Sequence, residues 1–153
     1  MEIKEISPFL SVSPQLSPAD VGIAASLGYR TVINNRPDHE SGDQPAGAEI
    51  QAAAERHGLE YRAIPVVSGK ITDADADTFT EALKEVQGPV LAFCRSGTRS
   101  AILWALSEAR HLTAAAILKA AERAGYNLES LGPRLEARSE ASKPAEPSGG
   151  GGR

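Results

Sequence analysis

The sequence predicts an α/β fold of three layers, α/β/α, in which helices cover both faces of a mostly parallel central sheet. Short runs of β-prone residues alternate with helical patterns along the chain, and strands that are separated by helices usually pair in parallel. The segment at 89–93 reads PVLAF, an apolar run in which proline takes only the first position. Such a run is typical of a central strand that is buried on both faces.

Five short β-prone runs predict the strands of this sheet. The first two are separated at Ser7-Pro8, and we expect both at sheet edges, since proline cannot donate to the hydrogen-bond ladder of a central strand. The predicted strands lie, in chain order, at residues 3–6, 9–12, 31–34, 61–67 and 89–93.

The predicted helices begin after residues that can cap an amino end, and several of them end at glycine. Ser17 and Thr72 each precede an aspartate by three residues, which is the spacing of a capping box. A polar loop over 35–45 leads into the second helix. The predicted helices lie, in order, from Pro18 to near Gly28, over the alanine-rich stretch that ends at His57-Gly58, after the Thr72 cap, over 100–109, from the Thr113 cap to Gly125, and from Asn127 onward.

Composition and charge narrow the class of protein. The 153-residue chain has 41% hydrophobic and 24% charged residues, which is ordinary globular usage. Its net charge of −4 gives no support for nucleic-acid binding, and its one cysteine excludes a disulfide framework or a multi-cysteine zinc site. No secretory signal and no membrane span of about 20 apolar residues is visible. We therefore expect a cytoplasmic protein with a reduced thiol that binds neither nucleic acid nor membrane and uses no metal or cofactor.

A change in composition near residue 139 predicts where the folded part ends. Residues 1–138 are expected to form one catalytic domain. Residues 139–153 read SEASKPAEPSGGGGR, and such small, polar, Pro- and Gly-rich composition cannot bury enough apolar surface to offset chain entropy. We therefore expect a disordered tail.

The residues that carry chemistry lie between the predicted central strand and the next helix, where the chain reads CRSGTRS from Cys94 to Ser100. The amides of a tight, glycine-containing turn at a helix amino end form an anion-binding site, and Gly97 permits the backbone angles that such a turn requires. The guanidinium of Arg99 can offer two parallel donors to an oxyanion. The same positive field favours the thiolate form of Cys94, which is the nucleophilic form.

The sequence therefore predicts Cys94 and Arg99 as catalytic residues. The alternative, that Cys94 is a small buried residue ending a core strand, fits poorly with so many polar neighbours. We expect the Ser100 hydroxyl to hydrogen-bond the sulfur and an outward Arg95 to attract anionic substrates. The predicted anion-binding residues are Arg95, Ser96, Gly97, Thr98 and Ser100.

Three separated motifs, VSPQL at 12–16, NRPD at 35–38 and FCRSGTRSAILWAL at 93–106, resemble the phosphatase-like domain of bacterial beta-lactamase-hydrolase-like proteins. The resemblance implies a fold like that of dual-specificity phosphatases, with activities described both as phosphatase and as sulfur transfer. Some members are fused to a persulfide dioxygenase, which implies a separate persulfide dioxygenase as a partner. It also implies that Arg36 and Asp38 line or buttress the site, with Asp38 orienting an arginine or serving as an acid.

The length of the loop and the lack of a general acid in the sequence distinguish phosphate ester hydrolysis from sulfur transfer. Four residues lie between Cys94 and Arg99, whereas the loop of a cysteine phosphatase has five, and Phe93 stands where those enzymes usually have histidine. Residues 68–70, where an acid is expected, read SGK, and the aspartates at 73, 75 and 77 are more simply the first turn of a helix. CRSGTRS is similar to the loop of rhodanese-type sulfurtransferases.

On these grounds the sequence favours sulfur transfer. Cys94 would take sulfur from a persulfide donor or another small sulfur-containing anion, hold it as a persulfide and pass it to a thiol acceptor. Two alternatives stay open. The first is a phosphatase that acts on phosphotyrosine or other aryl phosphates through a Cys94 phosphocysteine. The second is an inactive module that binds an anion or a partner protein.

Overall fold

The apolar run predicted as the central strand lies in the middle of a five-stranded sheet. The computed structural model describes residues 1–142, and the sheet has the strand order β1-β2-β5-β3-β4. The strands are β1 (Lys4–Glu5), β2 (Leu10–Ser13), β3 (Thr31–Asn34), β4 (Glu60–Ala63) and β5 (Val90–Phe93). Strands β2, β5, β3 and β4 pair in parallel with their neighbours in the sheet, and β1 runs antiparallel to β2. This confirms the predicted mostly parallel sheet.

Six α-helices and one short 3-10 helix, Glu129–Leu131, are present among residues 1–142. Ser17 and Thr72 both form the predicted capping boxes with the aspartates three residues on. The α-helices are α1 (Pro18–Ser26), α2 (Gly47–Arg56), α3 (Asp73–Glu85), α4 (Thr98–Glu108), α5 (Ala114–Arg123) and α6 (Gly132–Ser142).

Alternate side chains of the central strand enter two separate apolar clusters, which makes the domain three-layered. Leu91 and Phe93 pack with residues of α1 and α2 on one face. Val90 and Ala92 pack with residues of the other four α-helices on the opposite face, where Phe79 is fully buried. Both faces of β5 are thus buried, as its continuous apolar sequence predicted. The predicted α/β/α class is confirmed.

Several predicted positions differ from the structure. The last helix, predicted from Asn127 onward, begins at Gly132 after the 3-10 helix. The run at 9–12 is not an edge strand, because the fully buried β2 pairs with β1 on one side and with β5 on the other. The strand predicted to reach Val67 ends at Ala63, two residues before Pro65, which has no amide to donate. The helix predicted from Ser100 begins at Thr98, so that Arg99 stands in its first turn.

The carboxyl end of the domain also extends further than predicted. α6 continues to Ser142, four residues past the predicted boundary at 138, and residues 139–142 contain no glycine or proline to end it. The rest of the predicted tail lies outside the described residues. Within residues 1–142, no helix combines the length and the apolar character that crossing a membrane requires.

The register of the central strands places three loops together. Ser13 of β2 and Asn34 of β3 both stand opposite Phe93 of β5, so that the three strands end at one level. The segments that follow, at 14–16, 35–46 and 94–97, therefore leave the same edge of the sheet. In open parallel sheets this edge is where ligands bind.

We expect Thr72→Ala to lower the free energy of unfolding by about 1 kcal/mol, because it removes the oxygen that accepts from the Asp75 amide at the start of α3. Urea unfolding at neutral pH measures this change. The matched control is Thr78→Ala, at an exposed position in the same helix, where alanine should leave stability unchanged or slightly higher. Equal destabilisation by both variants would contradict the capping argument.

Candidate active site

The predicted nucleophile lies at the turn from β5 into α4. Cys94 is fully buried, and its sulfur accepts a hydrogen bond of 3.1 Å from the Gly97 amide. Gly97 is the residue before the first helical turn and has a φ of +94°, in the left-handed region that glycine adopts without strain. The sulfur thus faces an amide at the positive end of a helix.

The remaining loop residues line the mouth of the site. The Ser96 hydroxyl donates to Thr98 Oγ1 at 3.1 Å and also accepts from the Thr98 amide at 3.4 Å, so these side chains fold back on the loop. Arg95 is exposed, as predicted, and its carbonyl accepts from the Gln15 amide at 3.2 Å. That bond joins the end of the VSPQL segment, just after β2, to the loop at 94–97, which we call the catalytic loop after the predicted nucleophile it contains.

Arg99 is held rigidly in place. It is only 7% exposed, and its two terminal nitrogens donate to the two oxygens of Glu40 at 2.7 and 2.9 Å. A third bond, of 3.0 Å, runs from Nη1 to the Val66 carbonyl. The Glu40 carboxylate, and to a smaller degree the Cys94 thiolate, raises the pKa of Arg99 further above its ordinary value. The loop therefore contains a fixed positive charge close to the sulfur.

Glu40 is shared by two arginines. Its Oε1 also accepts from Nε of Arg36 at 2.8 Å, and the hydrogen bond from Arg99 is the main cause that lowers the pKa of Glu40 from 4.5 to about 2. Arg36 is 6% exposed and donates in addition to Gln15 at 2.9 Å and to Ser41 at 3.3 Å. Glu40 thus links Arg36, which follows β3, to Arg99, the guanidinium that interacts with Cys94.

Sequence reasoning missed Glu40 and Gln15. Both belong to motif regions that the sequence did single out, since Gln15 lies within VSPQL and Glu40 follows NRPD by two residues. In the structure, His39 has a positive φ of 69° and turns the chain just before Glu40. Glu40 lies 59 positions before Arg99 in the chain, and no regular spacing in the sequence connects the two residues.

Asp38 and Ser100 make contacts other than those predicted. Asp38 Oδ1 accepts from the Gly47 amide at 2.7 Å, at the start of α2, and the arginine contact expected of it is made by Glu40. The buried Ser100 hydroxyl donates to Oδ1 of Asn35 at 2.8 Å rather than to the sulfur. Asn35 is fully buried, so its Oδ1 needs a donor. Its amide nitrogen donates to the Ile64 carbonyl at 2.9 Å.

The aspartates that follow residue 70 lie on α3, where Asp73 and Asp75 are in the first turn, as predicted, and Asp77 is in the second. Asp75 completes the Thr72 capping box, while Asp73 and Asp77 form ion pairs with arginines of α6. These contacts leave them on α3, away from the catalytic loop. They supply no acid to the site.

A cleft of about 370 Å³ opens beside the catalytic loop. Its only lining carboxylate among the described residues is that of Glu40, whose oxygens are both bonded to arginine. A carboxylate with a pKa of about 2 holds no proton at neutral pH and so cannot act as a general acid. The lining residues are Glu40, Ser68, Gly69, Arg95, Ser96, Thr98, Arg99 and Ile102.

Comparison with known proteins identifies the family of this chain. Residues 2–111 match the family described as the phosphatase-like domain of beta-lactamase hydrolase-like proteins. A beta-lactamase hydrolase-like protein of Xylella fastidiosa strain Temecula1 is 44% identical over 108 residues, which are 71% of this chain. The matched part spans only 25% of that relative's length.

Solved structures show the same fold. The crystal structure of a candidate phosphatase from Neisseria meningitidis is 37% identical with a TM-score of 0.81, covering 90% of this chain and 99% of that one. P. aeruginosa TpbA in complex with phosphotyrosine has a TM-score of 0.65 at 16% identity, covering 92% and 90% of the two chains, and shows the fold alone. The description of the matching family and the name of the Neisseria protein agree with the phosphatase alternative better than with the sulfur transfer that the sequence favoured.

We expect Glu40→Gln to destabilise the protein at neutral pH, by less than the roughly 3 kcal/mol that corresponds to a pKa lowered from 4.5 to about 2, because solvent around the exposed Glu40 screens its attraction to the arginines. Because the folded-state pKa is the lower one, this stability is complete above about pH 5 and is lost as the pH falls towards 2. Urea unfolding of both proteins between about pH 3 and 7 should therefore show a difference that shrinks with acid.

The matched control for this pH series is Glu81→Gln. Glu81 forms an exposed ion pair with Lys84, and such pairs contribute little to stability. A pH-independent difference for Glu40→Gln, or an equal loss in the control, would contradict the assigned role of Glu40.

Proposed function

The chain belongs to the family of the phosphatase-like domain of beta-lactamase hydrolase-like proteins, and we propose that it is a cysteine-dependent phosphohydrolase that acts on phosphotyrosine or other aryl phosphates. The observation that carries this proposal is the surroundings of the Cys94 sulfur. It accepts from the Gly97 amide at the start of α4 and lies next to the fixed guanidinium of Arg99. These groups suit both a thiolate and the oxygens of a phosphoryl group.

In the first step the Cys94 thiolate attacks phosphorus. An S–P bond forms, the P–O bond to the leaving group breaks, and the leaving oxygen departs with the electron pair. Arg99 and the amides at the start of α4 stabilise the negative charge on the phosphoryl oxygens. Glu40 makes this effective because it fixes Arg99 before the substrate arrives, so that no reorganisation is needed.

In the second step water attacks the phosphocysteine. The S–P bond breaks, inorganic phosphate leaves, and the thiolate of Cys94 is restored. The proton released by the attacking water passes to solvent. No carboxylic acid capable of donating a proton lines the cleft among the described residues, which favours substrates whose leaving group needs little protonation. Aryl phosphates meet that requirement and alkyl phosphates do not.

Sulfur transfer is the second candidate, and the loop length favours it. Four residues between Cys94 and Arg99 form a small ring, which suits one sulfur atom. The thiolate would attack the outer sulfur of thiosulfate, forming an S–S bond as sulfite leaves, and an acceptor thiolate would then take that sulfur. This chemistry needs no general acid. A persulfide dioxygenase would be its partner.

We expect the protein to hydrolyse p-nitrophenyl phosphate and to be much less active, by about 10²-fold or more, on an alkyl phosphate such as glycerol phosphate. Release of inorganic phosphate measures both reactions. Cys94→Ser should abolish the activity, whereas Thr78→Ala, on the exposed face of α3, should retain it. Aryl phosphate turnover that persists in Cys94→Ser would overturn the covalent mechanism.

Intact mass spectrometry separates the two candidates. For the phosphohydrolase we expect brief incubation with aryl phosphate to add one phosphoryl group to the protein, and incubation with thiosulfate to add nothing. Gain of one sulfur atom, removed by an added thiol and absent in Cys94→Ser, would establish sulfur transfer instead. Neither adduct, with Cys94 shown to be reduced, would favour the inactive anion-binding module.

A further inference from the structure

We infer that Tyr126 is a positioning residue of the site, because its hydroxyl anchors the Ser96–Gly97 peptide and so keeps the Gly97 amide directed at the Cys94 sulfur. The inference rests on the proposed use of Cys94 as a thiolate nucleophile. Tyr126 lies beyond residues 2–111, the part that matches the family, and no sequence motif pointed to it.

One peptide group connects the two contacts. The Tyr126 hydroxyl donates to the Ser96 carbonyl at 3.3 Å, and the amide of the same peptide, on Gly97, donates to Cys94 Sγ at 3.1 Å. In a planar trans peptide the carbonyl and the N–H point in opposite directions. Holding the carbonyl therefore also fixes the direction of the N–H.

The peptide needs such an anchor because glycine does not restrict it. Gly97 has a φ of +94°, and glycine passes between positive and negative φ with little steric cost. A rotated peptide would direct the Ser96 carbonyl, instead of the Gly97 amide, towards Cys94. The carbonyl dipole would then repel the thiolate that the amide stabilises.

The position of Tyr126 is itself well defined. α5 ends at Arg123, Gly125 two residues later has a φ of +100°, and the Tyr126 amide donates back to the Ala121 carbonyl at 2.9 Å. The ring packs against the larger apolar cluster. Its hydroxyl occupies the space that a Cβ on Gly97 would need, so the two residues are in direct contact.

The negative charge of the Cys94 sulfur also affects the pKa of the Tyr126 hydroxyl. Burial is the main cause that raises the pKa of Tyr126, and the nearby Cys94 thiolate is the next. The phenol therefore keeps its proton at neutral pH and remains a hydrogen-bond donor to the Ser96 carbonyl.

The test compares Tyr126→Phe with Tyr29→Phe. Both changes remove one hydroxyl and keep the ring. Tyr29 lies just before β3, away from the catalytic loop, and its hydroxyl donates to the Ser11 hydroxyl at 2.8 Å. The measurement is the rate at which iodoacetamide alkylates Cys94, at about pH 6.5 and about pH 9.5. Urea unfolding of each variant reports any general loss of stability.

We expect Tyr126→Phe to slow alkylation about three- to tenfold at the lower pH, the effect of losing one hydrogen bond, and much less at the higher pH. Tyr29→Phe should alkylate like the unchanged protein at both. Unchanged rates in Tyr126→Phe, equal slowing in both variants, or slowing that persists at the higher pH would each overturn the inference. Alkylation needs no turnover, so a protein that hydrolyses no phosphate ester would still give a clear result.

Discussion

The site depends on one carboxylate that two buried arginines share. Glu40 bonds through both oxygens to Arg99, which belongs to α4, and through one of them to Arg36, which follows β3. Desolvation of the two buried arginines offsets part of their attraction to Glu40, and the pairing also fixes the geometry of the site. The geometry is what catalysis requires, because a guanidinium that is already in place stabilises developing charge without reorganisation.

The same interaction explains why the polar loop over 35–46 stays close to the catalytic loop. Arg36 reaches Gln15 as well as Glu40, and the Gln15 amide bonds to the Arg95 carbonyl. The loops that follow β2, β3 and β5 are thus joined by hydrogen bonds at the sheet edge where their strands end.

The site contains a thiol beside a fixed guanidinium, and none of the described residues that line its cleft offers a protonated carboxylic acid. Glu40, the carboxylate in the cleft, is committed to arginine and deprotonated, while Asp38 binds an amide of α2. Such a site suits reactions in which the leaving group carries its own negative charge. Aryl phosphate hydrolysis and sulfur transfer both belong to that class, which is why loop length and family membership, rather than charge, separate the two proposals.

Local sequence determined the elements of this protein. Capping residues such as Ser17 and Thr72, and the apolar run over 89–93, act through neighbours in the chain, so helix starts and the central strand could be predicted from residue order. The tertiary structure alone decided the pairing of β2, which its proline-flanked sequence wrongly suggested for an edge.

The tertiary structure likewise chose the partners of the loop motif. CRSGTRS indicated a thiolate beside an anion-binding turn, because both properties belong to one short stretch of backbone. Glu40 and Tyr126 contact that stretch from loops 59 and 30 positions away. Such contacts depend on where strand ends and helix ends meet in space, and no spacing along the chain records that meeting.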